Sequence, residues 1–250
     1  MSNTAYRLLE PDKQNAEIAL VITCEHASNQ VPAAYRNLFV NCRAILASHR
    51  GFDPGAQVMA KAMGIHFGAP LLSAVTSRLL VDLNRSLGHR HLHMDSVRQL
   101  PAGIRQDIIE HYYLPYRKEA ERLIKQQIAQ RGKVVHLSCH SFTHTLNGVV
   151  RHADIGLLYD PARSGERTLC ASWQAAIKAS APCLAVRRNF PYQGRNDGLT
   201  TALRKDFPPE AYLGIELELN QKNLAPAQHW AALQKTITTT LATVLRGYIS

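Results

Sequence analysis

Two histidines stand directly after short apolar runs and are the first candidates for chemistry. His26 follows residues 18–23, and His140 follows residues 134–137. Both runs are typical of buried strands in a parallel sheet. Loops at the carboxyl ends of such strands meet in one crevice, where α/β proteins bind ligands. Two imidazoles, one carboxylate and an open position form the usual catalytic zinc site, so the two histidines predict a metal centre.

A carboxylate is expected as the third ligand, and the residues alone offer two candidates. Glu25 precedes His26 and would point away from it in an extended segment. Asp53 is better placed, although an Asp before Pro-Gly is also a common helix N-cap, and the two readings stay equally open. Three further histidines alternate in a loop-like segment and are expected at the surface rather than at the metal: His89, His91 and His93.

One predicted strand carries two acidic residues on the same face. Glu216 and Glu218 alternate within an apolar segment and therefore project to one side. Buried carboxylates are costly without a partner, which an activated water or an arginine would provide. A carboxylate beside such a water can act as general base and return the proton to a leaving amine. A structural salt-bridged pair explains the same pattern equally well.

A polar cluster after the second predicted strand suggests recognition of carboxylates. Arg78 is followed by Asp82-Leu83-Asn84-Arg85. Arginine offers a planar fork for bidentate binding of a carboxylate, and a neighbouring Asn amide can donate a further hydrogen bond. Arg85 could equally pair with Asp82 at the surface.

The elements that must position these residues alternate between strands and helices. Further strands are predicted near residues 71–83, 155–158, 183–186 and 212–219, and helices near 54–68, 103–130 (kinked at Pro115), 166–179 and 227–246. The pattern predicts an α/β protein with a central mixed, mostly parallel sheet and helices on both faces. Without a linker-like stretch, residues 1–250 are expected to form a single domain.

The amino-acid composition limits the kinds of binding partner that we expect for this protein. The formal charge is +10, but the basic residues are scattered, which favours a solvated basic surface and an anionic substrate over nucleic-acid binding. Five cysteines without a CxxC pair predict neither a disulfide framework nor a cysteine zinc site. No signal-peptide pattern or membrane-spanning apolar run is found, so we expect a cytoplasmic protein without a membrane partner. The sequence does not indicate the oligomeric state.

Six segments, spread over residues 17 to 221, resemble the N-formylglutamate amidohydrolase family. They are CEHASNQVP, HRGFDPGA, SRLLVDLNRS, HLSCHSFTH, RNFPYQGRNDGLTTALRK and YLGIELELNQ. The resemblance implies hydrolysis of the formamide of N-formylglutamate to formate and glutamate. It also implies a fold similar to that of zinc carboxypeptidases and the aspartoacylase group.

The resemblance assigns roles to single residues. It implies that His26 and His140 bind zinc, that Asn84 and Arg85 hold the substrate's α-carboxylate, and that Glu218 is the catalytic base. Glu216 matches a less restricted position of the family.

Two departures from the pattern affect the expected ligands and substrate. Carboxypeptidases place a glutamate ligand three residues after the first histidine, and this chain has Asn29 there. Asp53 is therefore expected as the third ligand, with Asn29 and Glu25 as alternatives. The CEHASN loop is more polar and poorer in glycine than that of the histidine-degradation enzyme. The resemblance thus supports the chemistry more firmly than the particular substrate.

The expected function is metal-dependent hydrolysis of an acidic N-acyl amino acid. Residues 189–201 are predicted to form a loop that completes or covers the pocket. The candidates for binding the rest of the substrate, chiefly a side-chain carboxylate, are Arg78, Arg188, Arg195 and Thr200. The alternatives are a zinc carboxypeptidase, a deacylase for another acyl group, a family member without activity, and a non-enzymatic basic binding protein.

Overall fold

A seven-stranded sheet lies at the centre of the computed structural model, which describes residues 5–10 and 19–249. Its order is β1-β3-β2-β4-β9-β7-β8. The strands are β1 (Tyr6–Leu9), β2 (Leu20–Cys24), β3 (Leu71–Ala74), β4 (Val134–Phe142), β7 (Ile155–Leu158), β8 (Val186–Arg188) and β9 (Tyr212–Asn220). A separate hairpin pairs β5 (Thr145–Leu146) with β6 (Val149–Val150). Ile18, expected at the start of the first strand, lies outside the described residues.

The middle of the sheet is parallel. Strand β2 pairs in parallel with β3 and β4, and β4 pairs in parallel with β9. Strands β1 and β7 run antiparallel to their inner neighbours, β3 and β9. Every residue of β2, β4 and β9 is buried, as is typical of central strands covered on both faces. The carboxyl ends of these three strands therefore open on one edge of the sheet.

Helices cover both faces, which confirms the predicted α/β class. They are α1 (Arg43–Leu46), α2 (Ala56–Phe67), α3 (Asp95–Arg98), α4 (Ala102–Ile108), α5 (Leu114–Arg131), α6 (Ser164–Ser180), α7 (Leu199–Asp206) and α8 (Ala227–Ile249). One core holds Met59, Trp173 and Ile237 from α2, α6 and α8. The other holds Tyr116 and Leu203 from α5 and α7. None of the helices in the described ranges is long and apolar enough to cross a bilayer.

The long predicted helix is interrupted just before Pro115. A π-helical turn, Ile109–Tyr113, joins α4 to α5, and Pro115 lies in the first turn of α5. Proline cannot donate the usual helical hydrogen bond, and a local change of helical register accommodates that loss.

Three other expectations differ from the structure. The strand predicted over 71–83 ends at Ala74, and the polar segment after it forms turns that carry site residues. The strand predicted at 183–186 is shifted to β8. The predicted loop at 189–201 ends in helix α7, which begins at Leu199.

Candidate active site

The two histidines and Asp53 meet at the carboxyl edge of the sheet. His26 follows β2, and His140 lies in the last third of β4. Asp53 lies in the loop before α2, and its backbone N–H donates to the carbonyl oxygen of His26 at 3.0 Å. The cap residue of α2 is Gly55, so the Asp53 side chain does not cap the helix. Of the two interpretations of Asp53, a helix N-cap and a member of the site, the structure favours the second.

The three side chains form a compact donor set. Asp53 Oδ2 lies 3.3 Å from His26 Nδ1 and 2.9 Å from His140 Nδ1. The three donor atoms lie within 4.8 Å of one another, and they form the one group of at least three such residues found in the described chain that could hold a metal ion. All three residues are buried, with at most 5% of their surface exposed.

A second layer of carboxylates orients both imidazoles. His26 donates from Nε2 to Asp82 Oδ1 at 2.7 Å, and His140 donates from Nε2 to Glu25 Oε2 at 3.0 Å. When the proton is held on Nε2, the Nδ1 lone pair of each ring can bind a metal ion beside Asp53. Carboxylates commonly fix metal-binding histidines in this way. Glu25 is itself held by the hydroxyl of Ser138.

Electrostatics favour a cation at this centre. Three buried carboxylates, those of Glu25, Asp53 and Asp82, lie here with two guanidinium groups. Arg78 lies 2.8 Å from Asp82 and 3.4 Å from Asp53, and Arg85 lies 4.0 Å from Asp82. Burial alone would raise the pKa values of the three carboxyls. His140 lowers that of Glu25 to about 2, both imidazoles lower that of Asp53, and Arg78 and His26 lower that of Asp82. Burial would also lower the pKa of His140, yet Asp53 and Glu25 raise it. The residues present therefore suit a divalent metal ion.

The two glutamates of β9 have different surroundings. Glu216 Oε1 accepts a hydrogen bond from Thr200 Oγ1 at 2.7 Å. Glu218 Oε2 is buried and has no hydrogen-bond partner among the described residues. Burial raises the pKa of Glu218 to about 8. Glu218 pairs in register with His140 on β4, which brings this free carboxyl beside the donor set.

The Asn84-Arg85 pair also lines the cavity. Asn84 Oδ1 accepts a hydrogen bond from Leu199 N at 2.7 Å, and its Nδ2 lies 3.3 Å from His140 Nε2. Arg85 Nη1 donates to the carbonyl oxygen of Asp197 at 2.9 Å, while its side chain stays 31% exposed. A guanidinium with one anchored edge and one open edge can receive a carboxylate.

A cavity of about 180 Å³ surrounds these groups. It is lined by the donor set, the two glutamates of β9 and the arginines and asparagine described above (Arg78, Asn84 and Arg85). The other lining residues are His49, Ser141, Phe142, Thr143, Leu146, Tyr192, Gln193, Asn196 and Asp197. Four of them belong to segment 189–198, which packs closely on β7: a Cβ on Gly194 would lie 2.1 Å from Tyr159 N. The segment expected to complete the pocket does line it.

Several predicted residues lie away from the cavity. Arg188 and Arg195 are exposed and do not line it, and Thr200 is buried against Glu216. Asn29 is not part of the donor set; its side chain accepts a hydrogen bond from Gln30.

The alternating histidines are not part of the donor set either. His89 and His91 contact each other, while His93 is buried, against expectation, and donates to Leu80 O.

The sequence analysis missed the orienting roles of two acidic residues. Asp82 was considered only as a partner of Arg85, and Glu25 only as a ligand. The sequence does carry one indication of the orienting role of Glu25. Its side chain was expected to point away from that of His26, and in that orientation it can face the neighbouring strand. A larger depression of about 700 Å³ at β1 has no carboxylate or imidazole among its described lining residues, so we do not place the chemistry there.

Comparisons with known proteins show the family and the fold. The family model described as N-formylglutamate amidohydrolase matches residues 18–225. The gene product Atu2144 from Agrobacterium tumefaciens is similar in structure, with a TM-score of 0.84 and 26% identity over 99% of this chain and 97% of that chain. N-formylglutamate amidohydrolase from Ralstonia eutropha JMP134 shares the fold, with a TM-score of 0.74 and 18% identity over 96% and 97%. No curated protein sequence matches the chain.

Proposed function

The chain belongs to the N-formylglutamate amidohydrolase family, and from that premise we propose that it is a metal-dependent hydrolase of acidic N-acyl amino acids such as N-formylglutamate. Membership of the family supports amide hydrolysis. One observation carries the finer proposal: the buried His26–Asp53–His140 donor set lies next to Glu218, whose Oε2 has no hydrogen-bond partner among the described residues.

The donor set would hold the metal. A divalent ion such as zinc bound by His26, Asp53 and His140 would polarise the amide carbonyl and favour ionisation of the attacking water. Asp82 and Glu25 keep the Nδ1 atoms of the two rings aimed at that position.

Glu218 moves the proton in this proposal. Its free oxygen accepts a proton from the water that attacks the acyl carbon, and then delivers it to the nitrogen of the leaving amine. Burial raises the pKa of Glu218 to about 8, so the carboxyl can change protonation state near neutral pH, which both accepting and delivering the proton require. Glu216 is occupied by Thr200 and is less suited to the task.

Arg85 and Asn84 would hold the substrate's α-carboxylate. Arg85 presents its open edge to the cavity, and Asp197 fixes the opposite edge. A pre-positioned guanidinium loses little freedom on binding, so the carboxylate would orient the acyl amide towards Glu218. The net charge of +10 would attract such an anion from solution.

Turnover of defined substrates tests the proposal. The protein is assayed with added Zn²⁺ and after chelation, on N-formylglutamate, N-acetylglutamate and a dipeptide ending in glutamate. We expect release of formate from N-formylglutamate only with the metal, and recovery of activity when the metal is restored. Hydrolysis of none of the three by metal-loaded protein would contradict the proposal. Preferred cleavage of the dipeptide would indicate a carboxypeptidase, and preferred cleavage of the acetyl compound would indicate a different acyl group.

A further inference from the structure

An acidic substrate brings a second carboxylate, and the residues considered so far leave it without a cation. Arg85 is assigned to the α-carboxylate. Arg78 lies in the cavity but already pairs with both Asp53 and Asp82. Arg188 and Arg195 are exposed outside the cavity lining. A buried or half-buried carboxylate of the substrate needs a positively charged partner, so another basic residue must be sought at the rim.

Arg151 is a half-buried arginine just outside the cavity lining, and unlike Arg188 and Arg195 it stacks on two residues of that lining. Its guanidinium carbon lies 5.3 Å from the ring centre of Tyr192 and 5.8 Å from that of Phe142, and both rings line the cavity. Its Nη1 atom donates to Tyr192 Oη at 3.3 Å. Among the described residues, no carboxylate forms an ion pair with Arg151, which leaves its charge available to a ligand.

The backbone of Arg151 is held as firmly as its side chain. Its N–H donates to His144 O at 2.8 Å, and its carbonyl oxygen accepts from Asn220 Nδ2 at 3.0 Å. Asn220 ends β9, the strand that carries Glu218. The position of Arg151 is therefore coupled to the strand that bears the proposed base, and two aromatic faces restrict its side chain.

The charge of Arg151 reaches the cavity. His49 lines the cavity, and its pKa is lowered by burial first and then by nearby positive charges, which include Arg50, Arg78 and Arg151. The guanidinium thus contributes to the potential that a bound substrate would meet.

From this arrangement we propose that Arg151 is the specificity-determining residue that binds the side-chain carboxylate of the acidic substrate. The inference rests on the proposed function, because it assigns the second anionic group of that substrate. Arg85 and Arg151 would then take the two carboxylates from different sides of the cavity, and an uncharged side chain would lose one of the two charge-assisted contacts.

Matched substrates and variants test this role. N-formylglutamate and N-formylglutamine differ in one side-chain group and are compared in metal-loaded wild type and Arg151→Gln. We expect the variant to raise KM for N-formylglutamate about 10- to 100-fold, with kcat changed less than about twofold and N-formylglutamine little affected. Arg151→Lys keeps the charge without the planar fork, and we expect it to restore part of the difference.

Arg187→Gln is the control variant. Arg187 is exposed and, like Arg151, lies over an aromatic ring, that of Phe190 at 5.2 Å, but neither Arg187 nor Phe190 lines the cavity. Arg187→Gln should leave the ratio of kcat/KM for N-formylglutamate to that for N-formylglutamine unchanged. An equal loss on both substrates in Arg151→Gln would overturn the inference in favour of a structural role, and an unchanged ratio would also overturn it.

Equilibrium binding separates this inference from the proposed function. Glutarate, a dicarboxylate without an amide, is titrated into metal-loaded wild type and Arg151→Gln by calorimetry. If the wild type hydrolyses no N-acyl amino acid, the proposed function fails, and glutarate binding still decides the role of Arg151. Weaker glutarate binding by the variant supports the role of Arg151. Equal binding by the two proteins contradicts it, and so does the absence of binding by the wild type.

Discussion

Two clusters of buried charge lie at β9, and they differ in how completely the chain neutralises them. Glu166 and Arg204 form a closed pair. Glu166 accepts from Arg204 Nε at 3.0 Å, from Gly214 N at 2.9 Å and from Asp160 N at 2.9 Å. Arg204 also donates to the carbonyl oxygens of Gly194 and Gly214. Both charged groups are satisfied within the protein, so this pair serves to hold α6, α7 and β9 together.

The cluster around His26 and His140 is open. Its three carboxylates outnumber the two arginines that pair with them, Arg78 and Arg85, and Glu218 Oε2 has no partner among the described residues. Leaving buried polar groups unsatisfied costs stability, and such sites are where a ligand is expected to complete the coordination. The comparison indicates that residues of the open cluster control activity, while those of the closed pair control folding.

Glu218→Gln gives the largest expected effect and tests the open cluster. The amide keeps the shape of the carboxyl but cannot accept the proton, so kcat should fall about 10²- to 10⁴-fold. Steady-state hydrolysis of N-formylglutamate measures the loss, and metal content and thermal unfolding should stay close to those of the wild type.

Glu216→Gln is the matched control for that variant. It makes the same chemical change two residues away on the same strand face, where Thr200 can still donate to the side chain. We expect a much smaller loss of kcat. Equal losses in the two variants would contradict the distinction between the glutamates.

Arg204→Met should affect stability rather than chemistry. Removing the guanidinium leaves Glu166 charged and buried, which costs roughly 3–5 kcal/mol of unfolding free energy. Denaturant unfolding measures the change, and activity per folded molecule should be retained within a few-fold.

The double variant Arg204→Met/Glu166→Gln controls for this effect. It removes both charges, so it should recover part of the stability lost in the single variant. A single variant that unfolds normally but loses metal would show that the two clusters are not separate.

The burial of His136 should give a pH-dependent effect on stability that is smaller than the effect of Arg204→Met. This buried ring lies 2.7 Å from Tyr212 Oη and 2.8 Å from Thr23 Oγ1, and burial lowers the pKa of His136 from 6.5 to about 4. The folded protein therefore binds this proton less well than the unfolded chain, so stability is lost as the pH falls from about 6.5 to about 4. The loss attributable to this group is at most roughly 3 kcal/mol.

His136→Gln should weaken this pH dependence. Unfolding free energies measured between pH 7 and pH 4 should fall less steeply in the variant than in the wild type, because the carboxylates that also titrate are present in both. Identical slopes would contradict the role assigned to His136.

Much of the fold and the centre of the site could be predicted from local sequence. Short apolar runs revealed β2 and the start of β4, because strands buried on both faces need no polar alternation, and β9 was recognised as a largely apolar segment in which two glutamates alternate. Because the loops at the carboxyl ends of parallel strands meet in one crevice, His26 and His140 were then expected at one edge of the sheet. Strand β1 was missed because it has four residues and a half-exposed pattern at the sheet edge.

The remaining site residues depend on long-range packing. Arg151 meets Tyr192 across 41 positions, and Asp82 meets His26 across 56. No local spacing encodes such pairs, because they arise from the order in which the strands join the sheet. The arginines chosen from sequence, Arg188 and Arg195, lie in the correct part of the chain but are exposed outside the cavity.

Direct location of a metal ion tests the central claim most sharply. Crystals of protein loaded with Zn²⁺ are measured at the zinc absorption edge, and an anomalous-difference map is calculated. The account predicts one strong peak per chain, roughly 2.0–2.2 Å from His26 Nδ1, His140 Nδ1 and an Asp53 oxygen. It also predicts that the peak disappears in Asp53→Ala together with activity. A loaded, active protein with no peak at these three residues would contradict it.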